Sequence, residues 1–156
     1  QVYDSKFDIV KLSNIKNDAI KSILSAKLLE AQNRGISISV EIDEPVSNFR
    51  IELLDFITVL SVLCDNAIEA TIKATSPRMT VVFINNDDSL VLIVENSIKS
   101  EKVDVSHIFA RGYSSKGEGR GLGLHNVNSV LEKYPKSTIT TRSANHLFSQ
   151  TIRFCK

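Results

Sequence analysis

The chain has 156 residues, with 19 Lys and Arg against 18 Asp and Glu, and a formal net charge of +1. That length fits one domain, and a domain of this size buries roughly 68–70% of the surface its unfolded chain exposes. With 42% hydrophobic and 24% charged residues it is an ordinary globular mixture, which excludes a disordered chain, a strongly basic nucleic-acid binder and a membrane helix, since no apolar run approaches ~18 residues.

Residues 5–34 read as helix, because Ile9, Leu12, Ile15, Ala19, Ile20, Ile23, Leu24, Leu28 and Ala31 recur close to a 3.6-residue period. Asn14 and Asn17 weaken its middle, where Asn17-Asp18 could cap a second helix, and Gly35 is a C-terminal stop. Residues 36–42 alternate strictly, with Ile36, Ile38, Val40 and Ile42 on one side, as a strand with one buried face requires. Residues 50–73 form the clearest helix, with Leu53, Ile57, Leu60, Leu63, Ala67 and Ala70 as its apolar stripe and Pro77 beyond its end. Residues 80–84 and 90–95 are rich in β-formers and make a hairpin around a five-residue polar loop. Residues 96–120 have no sustained period and contain Gly112, Gly117 and Gly119; loops this long in a compact domain are usually functional. Helix resumes over 121–134, with Leu124, Val127, Val130 and Leu131 inward and Pro135 as the stop. Residues 138–142 and 147–154 close the chain as a second hairpin, with Gln150 on the same face as Phe148, Ile152 and Phe154. Strands with one wet face imply helices stacked on one side of a mixed sheet, a two-layer α/β sandwich over 1–156.

The first ten residues, QVYDSKFDIV, carry two acids and no apolar block, so no secretory leader is expected. The abrupt helical start without an initiator Met is expected of a piece of a longer protein. Cys64 and Cys155 then read as reduced thiols, and three histidines with no Cys–His cluster speak against structural zinc.

The strongest chemical signal is Gly117-Glu118-Gly119-Arg120-Gly121-Leu122-Gly123-Leu124, four glycines at alternate positions leading into a helix. Glycine admits close backbone approach, and a helix N-terminus offers free N–H groups and partial positive charge, so the combination suits a phosphate. A P-loop would end in Gly-Lys-Ser/Thr, and a Rossmann fingerprint counted from Gly119 would need glycine where Leu124 stands. A flexible linker seldom carries Leu122 and Leu124 at helix-core spacing with Val127 and Val130. The second signal is Asp65-Asn66-Ala67-Ile68-Glu69-Ala70. There Asn66, Glu69 and Lys73 share one strip of a helix kept slim by alanines, and a helix-borne Asn oxygen suits Mg²⁺, which keeps waters and phosphate oxygens among its ligands. A third is the strand-ending Val94-Glu95-Asn96-Ser97, where Asn96 could accept from a base amino group. A fourth is Ile108-Phe109-Ala110-Arg111-Gly112-Tyr113-Ser114-Ser115-Lys116, which brings cations and hydroxyls up to the glycines. Singly, a polar helix strip, a strand-ending turn and a polar loop are commonplace.

In this order, these segments resemble the ATP-binding catalytic domain of sensor histidine kinases, the GHKL or Bergerat fold shared with type II topoisomerases. The resemblance implies ATP and Mg²⁺ as cofactors. It casts Asn66 as the N-box asparagine on Mg²⁺, with Asp65 or Glu69 orienting its waters, and Asn96 in place of the usual adenine-reading aspartate. It makes Phe109 through Ser115, Lys116 and Gly117 the F-box and ATP lid, and Gly119, Arg120, Gly121, Leu122, Gly123 and Leu124 the G-box. It implies phosphate binding by backbone N–H groups from Gly119 to Gly123, and neutralisation of developing charge by Lys116 and Arg120. The Asn96 replacement and the wording of the lid and glycine segments look like peptide-pheromone quorum-sensing kinases. Such proteins are homodimers with a multi-pass membrane sensor, a dimerising helical region bearing the phosphoacceptor His, and a cytoplasmic catalytic domain that serves a response regulator without touching nucleic acid. Residues 1–16 would then be the remnant of the connecting helix. Position 62, where ATP-hydrolysing relatives place a Glu, is Val62, which cannot be a general base. His107, His125 and His146 all lack the acid that follows an acceptor histidine. The alternatives are a GHKL module acting as a serine kinase of anti-sigma type and a non-catalytic interaction domain.

Overall fold

A computed structural model describes residues 10–103 and 120–155. Its elements are α1 (Asp18–Asn33), β1 (Ser37–Ile42), α2 (Leu53–Thr71), β2 (Arg78–Asn85), β3 (Leu90–Ser97), α3 (Arg120–Leu131), β4 (Thr138–Ala144) and β5 (Leu147–Phe154). The five strands form one mixed sheet in the order β1-β2-β3-β5-β4. β1 runs parallel to β2, with Val40 opposite Val81, so the chain must cross over between them, and α2 is that crossover. The other pairs are antiparallel. Alternate residues Leu90, Leu92, Val94 and Asn96 of β3 are buried, whereas Val91, Ile93 and Glu95 are half-exposed, so the helices cover one face and the sandwich has two layers as expected. Phe56 of α2 stands at the centre, with ring centroids 4.9 Å from Phe49 and 4.8 Å from Phe154.

The helix read over 5–34 is interrupted. Residues 10–12 make one turn, and α1 begins only at Asp18. Ile15 fits the helical period but instead pairs in parallel with Val46, where Lys16 N–H donates to the Val46 carbonyl at 2.8 Å. Asn14 donates from Nδ2 to the Ile42 carbonyl at 2.6 Å, and the Asn17 side chain caps α1 by accepting from Ile20 N–H at 3.0 Å. The two asparagines that weaken the period are thus the residues that stop one helical turn and start the next helix.

α2 starts three residues later than the periodicity implies and ends at Thr71, and its buried face is turned from the expected stripe. Leu60, Leu63 and Ala67 are buried as expected, but the rest of that face is Phe56, Val59, Cys64, Ile68 and Thr71, whereas Leu53 is 39% exposed. Apolar residues lie on most sides of this helix because it packs on the sheet, on α1 and on α3, so the pattern alone is ambiguous about its centre. Cys64 is wholly buried, and burial pushes its thiol up to about 12. β3 runs two residues further than 90–95, through Asn96 and Ser97. The last hairpin turns tightly through Asn145 and His146, both with positive φ, 55° and 63°, as a two-residue loop of mirror-image type requires.

Candidate functional site

The glycine segment and the asparagine segment meet. α3 begins at Arg120, so Arg120, Gly121, Leu122 and Gly123 fill its first turn, whose N–H groups have no partner within the helix. Leu124, Val127 and Leu131 anchor α3 in the core, as expected. Gly123 lies flat against α2: a Cβ there would stand 3.3 Å from Val62 Cγ1 and 4.0 Å from Asn66 Nδ2. Its smallness therefore serves helix–helix approach rather than an unusual backbone angle. The phosphate-type helix start is in this way brought directly to the helix that carries Asn66, with Glu69 three residues along the same flank.

Asn96 is 2% exposed on the covered face of β3, opposite Met79 and Phe148. Its Nδ2 donates to the Ser97 carbonyl at 3.0 Å, which orients the amide on a rigid strand. Ser97 ties this strand end to α2: its Oγ is 2.6 Å from Thr71 Oγ1, and both hydroxyls accept from Arg78 N–H at 3.0 Å. The strand end bearing Asn96 and the helix bearing Asn66 are so held in one frame. Ser97 and Thr71 had no sequence signal, since their bond joins residues 26 apart. Taken together, a buried amide on the sheet, an amide on α2 and the open start of α3 fit the base, the metal and the phosphates of a nucleotide.

Asp65 is directed elsewhere. Lys27 of α1 meets its Oδ1 at 2.7 Å. Burial works against the charged ammonium, but the Asp65 hydrogen bond and charge outweigh it and hold Lys27 above its ordinary value. Of the two acids expected to orient metal-bound water, Asp65 is thus engaged in joining α1 to α2. Phe109, Ser115, Lys116, Gly117 and Gly119 lie outside the described residues, as do the side chains of Arg120 and Leu122.

Beyond the end of α3, Tyr134 Oη donates to Asp55 Oδ2 in the first turn of α2, and Lys133 Nζ meets Asp55 Oδ1 at 3.0 Å. The Tyr134 hydrogen bond holds the Asp55 carboxyl below its ordinary value against the opposing effect of burial, with help from Lys133. A depressed carboxylate stabilises the fold above its unfolded value of about 3.9, and that stabilisation is lost as pH falls through the lower folded value. Denaturation followed from pH 6 to pH 2 is therefore expected to show a loss of stability below about pH 4 that is smaller in Asp55→Asn. Equal acid sensitivity in the two proteins would refute that share for Asp55.

Comparison with known proteins gives the family and the fold. A family model described as GHKL domain matches residues 51–155. The chain is 27% identical over 149 residues to the sensor protein CitS of Bacillus subtilis and 30% identical over 144 residues to the sensor histidine kinase DcuS of Escherichia coli. These alignments cover 84% and 89% of this chain but only 27% and 26% of those proteins. The fold matches the catalytic domain of histidine kinase ThkA, with a TM-score of 0.72 and 20% identity over 90% of this chain and 93% of that one. It also matches full-length ShkA solved with AMPPNP, with a TM-score of 0.69 and 14% identity over 86% of this chain and 28% of that one.

Proposed function

Since the chain belongs to the GHKL domain family, we propose that it binds Mg²⁺-ATP as the catalytic domain of a two-component sensor kinase and presents the γ-phosphate to a histidine on a dimerising helix outside this sequence. The observation that carries the proposal is Gly123 pressed against Val62 and Asn66, which sets an open helix start beside a metal-type amide. The kinship to CitS and DcuS, named as sensor proteins, supports the signalling role. ATP supplies the phosphoryl group and Mg²⁺ neutralises its charge; the protein's share is positioning. Asn96 accepts from the base amino group, and Asn66 offers one oxygen to Mg²⁺ with Glu69 holding its waters. The N–H groups at the start of α3 hold phosphate oxygens, and Lys116 and Arg120 neutralise developing charge. A homodimer, a response regulator and a membrane sensor belong to this reading. Its finer form, a peptide-pheromone receptor, is supported by the wording from Gly112 to Leu124 and by Asn96.

Val62 and the three histidines lead to a direct test. A positioned general base is worth typically 10²–10⁴-fold, and Val62 provides none. Incubated with γ-labelled ATP, this chain is expected to bind nucleotide yet neither label itself nor release phosphate briskly. Addition of the dimerising helices is expected to give acid-labile, base-stable label. Acid-stable label on the chain alone would indicate a serine kinase, rapid phosphate release an ATPase, and absence of nucleotide binding an interaction domain.

A further inference from the structure

α3 is a weak helix by composition. It is twelve residues long, carries Gly121 and Gly123 in its first half, and has no acid in its first turn and no base in its last. Each glycine costs roughly 1 kcal/mol relative to alanine in a helix, and neither end complements the dipole. Among the described side chains, those it buries, Leu124, Val127 and Leu131, lie in its middle and C-terminal half. Contacts at its two ends therefore add to what fixes its direction.

The C-terminal end is latched to α2. Just past α3, Tyr134 hydroxyl donates to Asp55, and the same oxygen accepts from Glu52 N–H at 3.3 Å. Glu52 is the N-cap of α2 and makes no side-chain capping bond of its own, so Tyr134 supplies the cap from another element. Lys133 adds its ion pair to Asp55, whose side chain is 15% exposed. Burial and the Asp55 bond keep the Tyr134 phenol protonated by raising its ionisation above the ordinary value. The two helices run antiparallel: Gly123 faces Val62 and Asn66, while Tyr134, eleven residues on, reaches Asp55, eleven residues before Asn66. Along α2 the latch at Asp55 and Asn66 are thus about 16 Å apart at 1.5 Å per residue.

We infer that Tyr134, through its bonds to Asp55 and Glu52, is a positioning residue that sets the direction of α3 and thereby the placement of its first turn beside Asn66. It acts from Asp55 and Glu52, at the end of α2 remote from Asn66. Released at this end, α3 retains its three core side chains but samples other directions, and only a fraction of molecules then presents its N–H groups correctly. Apparent phosphate affinity falls by that fraction, whereas the Asn96 end of the site, held by Ser97 and Thr71, is untouched.

The inference rests on the Mg²⁺-ATP reading, and the test separates the two. ATP and adenosine affinities are measured by calorimetry for the chain and for Tyr134→Phe, Asp55→Ala and Asp55→Asn, well below their melting temperatures. Tyr134→Phe, which removes both bonds of the hydroxyl, is expected to weaken ATP about threefold to tenfold, and adenosine less than about twofold. Asp55→Asn keeps an oxygen acceptor for the phenol and is expected to regain most of the ATP affinity lost in Asp55→Ala. Equal losses for ATP and adenosine, unchanged ATP affinity in folded Tyr134→Phe, or no recovery in Asp55→Asn would each overturn the positioning role. An unaltered chain that binds no ATP at all would overturn the nucleotide reading instead, and this one with it.

Discussion

Asn66→Ala is expected to leave a folded domain that has lost the Mg²⁺-dependent part of its ATP affinity. Folding should survive because the packing of α2 rests on Phe56, Val59, Leu60, Leu63, Cys64, Ala67, Ile68 and Thr71, a set that leaves out Asn66. Alanine is also the better helix former by roughly 0.5–0.7 kcal/mol. Mg²⁺ takes few protein ligands and keeps most of its waters, so one lost oxygen is a large share of what the protein contributes. Titrations with ATP in Mg²⁺ and in EDTA should show a fall of more than about tenfold in the Mg²⁺ arm and little change in EDTA. A folded variant with its Mg²⁺ dependence intact would remove Asn66 from the metal.

The second large effect is expected at Gly123. In Gly123→Leu the first added carbon already stands 3.3 Å from Val62 Cγ1, and three more must find room between α2 and α3. Overpacking of this kind costs about 1–3 kcal/mol, offset by roughly 1 kcal/mol of helix propensity, so the domain should still fold. The strain is relieved by parting the helices where Gly123 meets Asn66, and ATP affinity should fall more than about tenfold while adenosine is largely spared. Gly123→Ala should be milder, because Val62 need yield only a few tenths of an ångström. Adding Val62→Ala to Gly123→Ala should then restore ATP affinity, and a double-mutant cycle would measure the coupling. Additive effects of the two substitutions would mean that helix approach at this point does not govern the phosphate end.

Local chemistry was legible where one periodicity ruled. The alternation from Ile36 to Ile42 reads as β1 because only one face of that strand is apolar, and both hairpins are marked by polar turns between β-rich runs. The interruption at residues 13–17 was legible only in part, since Asn14 and Asn17 signal it while Ile15 argues against it; the deciding partner, Val46, lies in another segment. α2 was legible as a helix but not in its orientation, for its neighbours on three sides are set by the fold. At the candidate site, Asn66, Asn96 and the glycines announce themselves by residue type. Their mutual arrangement depends on groups that do not: Thr71 with Ser97, Lys27 with Asp65, and Asp55 with Tyr134, 79 residues apart. A Tyr after a helix and an Asp in the first turn of another are ordinary residues until the fold brings them together.

Cys64 stands two residues before Asn66 on α2, with none of its surface exposed and its thiol raised to about 12. Thiolate is the species that oxidants and alkylating agents attack, and burial keeps this side chain protonated and out of reach of reagent. The sulfenic, nitrosyl and glutathione adducts that exposed cysteines form are therefore closed to it while α2 is packed. The helix proposed to hold the metal is in this way insulated from the redox state of its surroundings, although a sulfur atom sits within one helical turn of the proposed ligand.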